Sequence, residues 1–115
     1  MNNKILSLLG FAAKAGKLSY GFEATLWSVK TAKARLLAVA EDISPKSRKE
    51  MHYYADKYNV KITVLEGIDI KTVSDAVGKK CGIVAVLDRG FADAILKAAE
   101  IQANEDIKGG NADDK

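Results

Sequence analysis

Leu36-Leu37-Ala38-Val39-Ala40-Glu41-Asp42-Ile43-Ser44-Pro45 is the stretch that decides the fold. Five consecutive apolar residues are too few for a helix and suit a strand covered on both faces. The run ends in two acids. Ser44-Pro45 then offers a side-chain oxygen at an N-cap and a pre-set φ at the first helical position. A buried strand feeding straight into a helix is the repeating unit of an α/β sheet.

The same rhythm spreads outward in both directions. Ile5, Leu8, Leu9 and Ala12 recur at helical spacing, and Gly16 ends that helix after Lys14. Leu18 to Tyr20 has room for a very short strand. A second helix opens near Gly21, with Phe22, Leu26, Val29 and Ala32 on its inner stripe. Downstream of Pro45, the residues Met51, Tyr54, Ala55 and Tyr58 form an inner face that Asn59 closes. Lys61 to Leu65 reads as a strand, and Asp69 caps a short helix carrying Ile70, Val73, Ala76 and Val77 up to Gly78. Ile83 to Leu87 is the last strand, and Asp88 begins a final helix through Phe91, Ile95, Ala98 and Ile101. Alternation of this kind predicts an α/β fold, a three-layer α/β/α sandwich built as a single small domain on a mostly four-stranded sheet.

With 115 residues and 48% hydrophobic content, the chain can bury one core. That core belongs to a domain over residues 1–104. Residues 105–115 lack apolar periodicity and read as a disordered tail. The lone Cys81 has no internal disulfide partner, which points to a reducing, cytoplasmic setting. Residues 5–13 imitate a signal peptide, but Lys14 and Lys17 crowd its cleavage site and the pattern is that of a helix. Nothing approaches the ~20 apolar residues of a membrane span. No membrane partner is expected, and a monomer is.

The net charge of +3 is unevenly spread. Up to Arg35, six basic residues face Glu23 alone. The last eleven residues carry four acids and two lysines, so the remainder has sixteen basic against eleven acidic residues, a net +5. A basic body suits a polyanion, and an ordinary solvated lysine surface gives the same count.

Enzyme chemistry finds little support. A single histidine, His52, and a single cysteine cannot build a zinc site or an oriented Cys–His pair. Gly78-Lys79-Lys80-Cys81-Gly82 lacks the spacing that wraps a nucleotide phosphate, and no G-x-G-x-x-G occurs. Neither a metal nor a cofactor is called for. Glu41 and Asp42 are adjacent, and their simplest role is to stabilise the start of the helix at Ser44. A weak enzyme reading would run through Asp88, Arg89 or Cys81.

Three turns carry a more specific signal: Lys17-Leu18-Ser19-Tyr20-Gly21-Phe22-Glu23-Ala24, Ala40 to Pro45, and Gly78-Lys79-Lys80-Cys81-Gly82-Ile83. Each feeds a helix or a strand, where backbone N–H groups and lysines can meet phosphates. Taken in order, they resemble the kink-turn RNA-binding ribosomal protein superfamily, that of large-subunit proteins "seven Ae" and "thirty e", and look closest to its short bacterial members. The likeness runs from about Lys4 to Ala99.

The resemblance implies a non-enzymatic protein that docks kinked or internally looped RNA, with ribosome components as possible neighbours. It implies contacts from Lys14, Lys17, Gly21, Phe22, Glu23, Trp27 and Lys30, from Asp42 and Ile43, and from Lys79, Lys80, Cys81, Gly82 and Ile83. The family's Asn-Glu pair and the lysine one turn on fall at Glu23, Ala24 and Trp27 here. Glu23 can still accept from a base amino group, Ala24 can read nothing, and Trp27 can stack on a base but cannot donate as a lysine does. Helical geometry places Glu23, Trp27 and Lys30 on a flank of the helix, where Trp27 either packs at the core edge or stands out as a platform. These departures keep open an alternative: a protein-interaction or assembly factor with Phe22 and Trp27 in its patch. Convergence of Lys14, Lys17, Lys79 and Lys80 on one surface would favour RNA, and scattering would favour a protein partner.

Overall fold

A computed structural model of the chain describes residues 3–113, with side chains from 4 to 102. Its elements alternate as α1 (Asn3–Lys14), β1 (Leu18–Tyr20), α2 (Phe22–Lys30), β2 (Leu36–Ala40), α3 (Pro45–Lys57), β3 (Lys61–Leu65), α4 (Ile70–Val77), β4 (Ile83–Val86) and α5 (Arg89–Asp113). The four strands form one sheet in the order β1-β4-β2-β3. β2 and β3 are parallel, while β4 lies between β1 and β2 and runs antiparallel to both. Helices α2 and α3 pack on one face, and α1, α4 and α5 cluster on the other, which makes the three-layer α/β/α sandwich.

The two inner strands are buried along their whole length, Leu36 to Ala40 and Ile83 to Val86, as runs covered on both faces must be. Leu9, Ile68, Val73 and Ile95 fill one side of the sheet, and Val29, Met51 and Ala55 the other. Helix ends follow the local chemistry. Gly16 and Asn59 adopt positive φ after α1 and α3, and Gly78 closes α4 in the left-handed region at φ 79°. Ser44 Oγ accepts from the Ser47 amide at 3.1 Å, and Asp88 Oδ2 accepts from the Phe91 amide at 2.9 Å.

Several expectations need correction. The inner stripe of α2 is Thr25, Ser28 and Val29, with Phe22 and Leu26 only half-buried. Small side chains let this helix sit close to the sheet, and the Ser28 hydroxyl reaches that of Ser19 on β1 at 2.7 Å. Ala32 is exposed because α2 stops at Lys30. The Thr31 hydroxyl donates to the Trp27 carbonyl at 2.8 Å, and the chain turns through Ala32 at φ 63°. Tyr58 and Ile101, assigned to inner faces, are 39% and 46% exposed. Residues 105–113 continue α5 as backbone, and the side chains of the expected tail lie outside the described residues.

Candidate nucleic-acid interface

Strand directions decide where the three turns meet. β1, β2 and β3 end, and β4 begins, at the same edge of the sandwich. The starts of α2, α3 and α4 therefore gather there, each following the carboxyl end of a strand, where α/β sheets bind their ligands. The Gly21 amide donates to the Ile83 carbonyl at 2.8 Å, and the Ala40 amide donates to the Gly82 carbonyl at 2.8 Å. Two backbone bonds thus tie the first and second turns to the third. Between them lies a depression of about 210 Å³ lined by Gly21, Phe22, Ile43, Ser44, Ser47, Ile70, Gly82 and Ile83.

Gly21 holds φ 88° and ψ 170°, a conformation essentially closed to residues with a Cβ, and no atom outside its chain neighbours lies within 4 Å of where a Cβ would stand. Backbone is therefore open to close approach at this point. The three helix starts differ. Ser44 caps α3, and both Asp69 and Asp42 serve α4, but no side chain caps α2. Its first-turn N–H groups remain available to an anion.

Glu41 and Asp42 do not serve α3 as the sequence suggested. Glu41 Oε1 accepts from the Gly67 amide at 2.9 Å, and Asp42 Oδ1 from the Ile70 amide at 2.8 Å. The parallel pairing of β2 and β3 sets the two following loops side by side, so the carboxylates reach the neighbouring loop and the start of α4. Asp42 thereby has a structural task at the rim. Asp69 completes the α4 cap, taking the Thr72 hydroxyl at 2.6 Å and its amide at 2.8 Å, and these bonds hold its carboxyl below the usual range.

Past Gly78 the lysines stand exposed, Lys79 Nζ lying 4.9 Å from the centre of the Tyr20 ring. Lys79 and Lys80 border an open groove of about 750 Å³ that also touches Asp42 and Ile70. Cys81 is buried, its amide donating to Ser74 Oγ at 2.9 Å. Burial pushes its thiol up, against a smaller opposing pull from Lys79, and the residue remains a neutral packing group.

Other anticipated residues lie elsewhere. The Lys17 carbonyl accepts from the Leu87 amide, at the opposite end of β4 from Ile83. Since β1 runs antiparallel to β4, roughly 13 Å of extended chain separates Lys17 from Gly21. Lys14, in the last turn of α1, is held near Lys17, whose amide donates to the Ala12 carbonyl at 2.9 Å. The four lysines do not converge: Lys79 and Lys80 border the groove that shares Ile70 with the depression, and Lys14 and Lys17 line neither. Glu23 is exposed in the first turn of α2. Trp27, 58% exposed, and Lys30 lie further along the outer surface. Ser44, Ser47 and Ile70 were not anticipated as site residues, Ser44 being expected only as the cap of α3. Ser47 stands three residues beyond the Ser44 cap, and that helical spacing was the signal for it. Ile70 had been assigned to the core.

Among the described residues no group of His, Cys, Asp and Glu could hold a metal ion, and no helix is long and apolar enough to cross a membrane.

An α/β/α sandwich with its helix starts and a lysine loop at one edge is the frame of a known family. The model of the ribosomal protein L7Ae/L30e/S12e/Gadd45 family matches residues 3–96, and the chain belongs to that family. It is 33% identical over 91 residues to the large ribosomal subunit protein eL30 of Aeropyrum pernix, covering 76% of this chain and 87% of the relative. It is 30% identical over 89 residues to the RNA-binding protein YlxQ of Enterococcus faecium, covering 77% and 84%. A solved Bacillus halodurans C protein of unknown function superposes with a TM-score of 0.80 at 26% identity, over 84% of this chain and 97% of that one. The 15.5kD RNA binding protein of Giardia lamblia shares the fold, with a TM-score of 0.71 at 14% identity, covering 86% and 84%.

Proposed function

We propose that this chain is a non-enzymatic, cytoplasmic, monomeric RNA-binding protein that docks kinked or internally looped RNA, of the ribosome or of another structured RNA, at the strand-end depression. One observation carries the reading: three turns far apart in sequence meet at the uncapped start of α2 and the open backbone of Gly21, beside a groove that shares Ile70 and carries Lys79 and Lys80. A kinked RNA crowds phosphates and opens base edges, so it needs such donors and charge on a rigid frame. Gly21, Phe22, Glu23, Ile43, Ser44, Ser47, Lys79, Lys80, Gly82 and Ile83 would touch it. No reaction is required, because the protein selects the bent RNA by binding it better than the straight one. The relatives named for RNA binding and for the large ribosomal subunit support this ligand class.

A protein-interaction or assembly factor on the same scaffold is the second reading. It draws on Glu23, Ala24 and Trp27 in place of the family's base-reading set, and on the position of Lys14 and Lys17 away from the depression.

Titration with an internally looped RNA and a straight duplex of equal length tests the proposal. The looped RNA should bind more tightly, with log affinity falling against log salt at a slope of roughly −2 to −4.5 for three to five phosphates. Changing Lys79→Glu and Lys80→Glu together should remove the preference, whereas Lys14→Glu with Lys17→Glu should leave it. Equal affinity for the two RNAs, or indifference to the Lys79 and Lys80 changes, would overturn it.

A further inference from the structure

The outer surface of α2 and α3 carries a second cluster that the strand-end depression does not use. Five large apolar side chains are exposed among the described residues, and three of them, Trp27, Tyr53 and Tyr58, lie on these two helices. Each ring is accompanied by a lysine. Lys33 Nζ sits 5.0 Å from the centre of the Trp27 ring, and Lys57 Nζ lies 5.9 Å from that of Tyr53 and 5.8 Å from that of Tyr58. Lys30 of α2 crosses to the Tyr54 ring of α3 at 5.4 Å, and Tyr54 meets Tyr53 edge-on at 5.1 Å. The cross-helix pair makes the cluster one continuous surface.

Its location is equally specific. Trp27 and Lys30 occupy the last turns of α2, Tyr53 and Lys57 those of α3, and Tyr58 follows as the C-cap of α3. Nine residues of helical rise, about 13.5 Å, separate Lys30 from Gly21. Lysines in a last turn complement the helix dipole and need no ligand for that. The exposed rings have no such internal task, since leaving large aromatic area in water forgoes its burial. Acid is scarce here. Glu23 and Glu50 stand one turn before Trp27 and Tyr53, on the side away from Lys30, Lys33 and Lys57, and Asp56 lines a separate groove with His52 and Lys61.

We infer that this face is a second nucleic-acid surface, one that holds unpaired RNA by stacking bases on Trp27, Tyr53 and Tyr58 while Lys30, Lys33 and Lys57 meet the phosphates. Exposed rings interleaved with cations are what a single strand requires, because every base offers a π-face and each step along the strand brings a charge. A duplex keeps its bases stacked on each other and could use only the lysines. The surface rests on the same ligand chemistry as the proposed kinked-RNA site; Trp27 and Lys30, which the family resemblance counts among that site's contacts, join it to Tyr53, Lys57 and Tyr58, so it would take a strand leading away from the docked element.

Trp27 is the only tryptophan of the chain, so the fluorescence reports on its surroundings, and the Lys79 and Lys80 variant separates quenching at this face from binding at the strand-end depression. The full chain is titrated at low salt with a ten-nucleotide RNA of non-self-complementary sequence. Saturable quenching is expected, with affinity that weakens as salt rises. With a labelled oligonucleotide, Trp27→Ala and Tyr53→Ala should each reduce affinity about fivefold or more, and neither exposed position should affect folding. Lys79→Glu with Lys80→Glu should change it less than twofold, even if that variant loses looped RNA. Absence of quenching overturns the inference. So does equal binding of a ten-residue polyglutamate, which would mark a surface for an acidic protein, and so does a loss in the Lys79 and Lys80 variant as large as in the Trp27 variant.

Discussion

Replacing Gly82 by alanine probes the contact that closes the strand-end depression. A Cβ at this position would lie 2.7 Å from Ile70 Cγ1 and 2.9 Å from Ile43 Cγ2, against an ordinary carbon–carbon separation of about 3.5–4.0 Å. Both neighbours must retreat by roughly 0.6–1.3 Å. Ile43 Cγ2 is a terminal methyl and Ile70 Cγ1 carries one, but each is bonded directly to the Cβ of a β-branched residue, so neither can retreat without turning a stiff χ1. Overpacking of this kind costs about 1–3 kcal/mol. At about 4–8 °C per kcal/mol for a domain of this size, Gly82→Ala should lower Tm by at least about 4 °C, measured by circular dichroism. Ile70→Ala removes the closest atom, so the double variant should be less destabilised than the two single changes summed, by about 0.5 kcal/mol or more. The methyl group also intrudes on the depression and should weaken looped-RNA binding in folded protein. A Tm within about 1 °C of the parent, or strict additivity with Ile70→Ala, would refute the close approach on which this reasoning stands.

Glu23→Asn with Ala24→Glu restores the family's base-reading pair on α2. In a filter-binding comparison the variant should prefer intact guanine-adenine pairs over Watson–Crick replacements about tenfold more than the parent does, and no gain would mean the family's reading scheme does not transfer. Ending the chain after Ala103 should leave Tm within about 5 °C, and a larger drop in a thermal melt would show that residues 104–115 dock on the domain. Asp69→Asn should destabilise the protein at neutral pH. The folded carboxyl sits below its ordinary value of 3.8, so its contribution is complete above that value and disappears as pH falls through the lower folded-state one. Urea midpoints of parent and variant should therefore converge on acidification, and a constant gap would refute the assignment.

What the sequence made legible was local. The continuous run of β2, the Ser44-Pro45 start and the Gly78 stop each depend on residues a few positions apart, and all appear where the pattern predicts. Glu41 and Asp42 show the limit. Their partners at Gly67 and Ile70 are brought beside them only by the parallel pairing of β2 with β3, and no spacing in the chain announces which strand will be the neighbour. The lysines fail in the same way. Lys17 and Gly21 are close in sequence, yet a strand lies between them and carries them to opposite ends of the sheet. On α2 the apolar stripe of Phe22 and Leu26 misled because close packing favoured Thr25 and Ser28, and a small hydroxyl against a neighbouring strand leaves no hydrophobic trace.

The strand order has a consequence for how the molecule comes into being. β4 is the last strand made, and it occupies the place between β1 and β2. Until Val86 is available, β1 has no partner, and the apolar Leu36–Ala40 strand shows an open edge that any other extended chain could pair with. Sheet completion must therefore span more than sixty residues of chain, which slows folding and exposes nascent intermediates to aggregation. The backbone bonds from Gly21 to Ile83 and from Ala40 to Gly82 form in that same closing step. The depression consequently has no existence in a partly folded chain, and the capacity to hold RNA there arrives together with the native state.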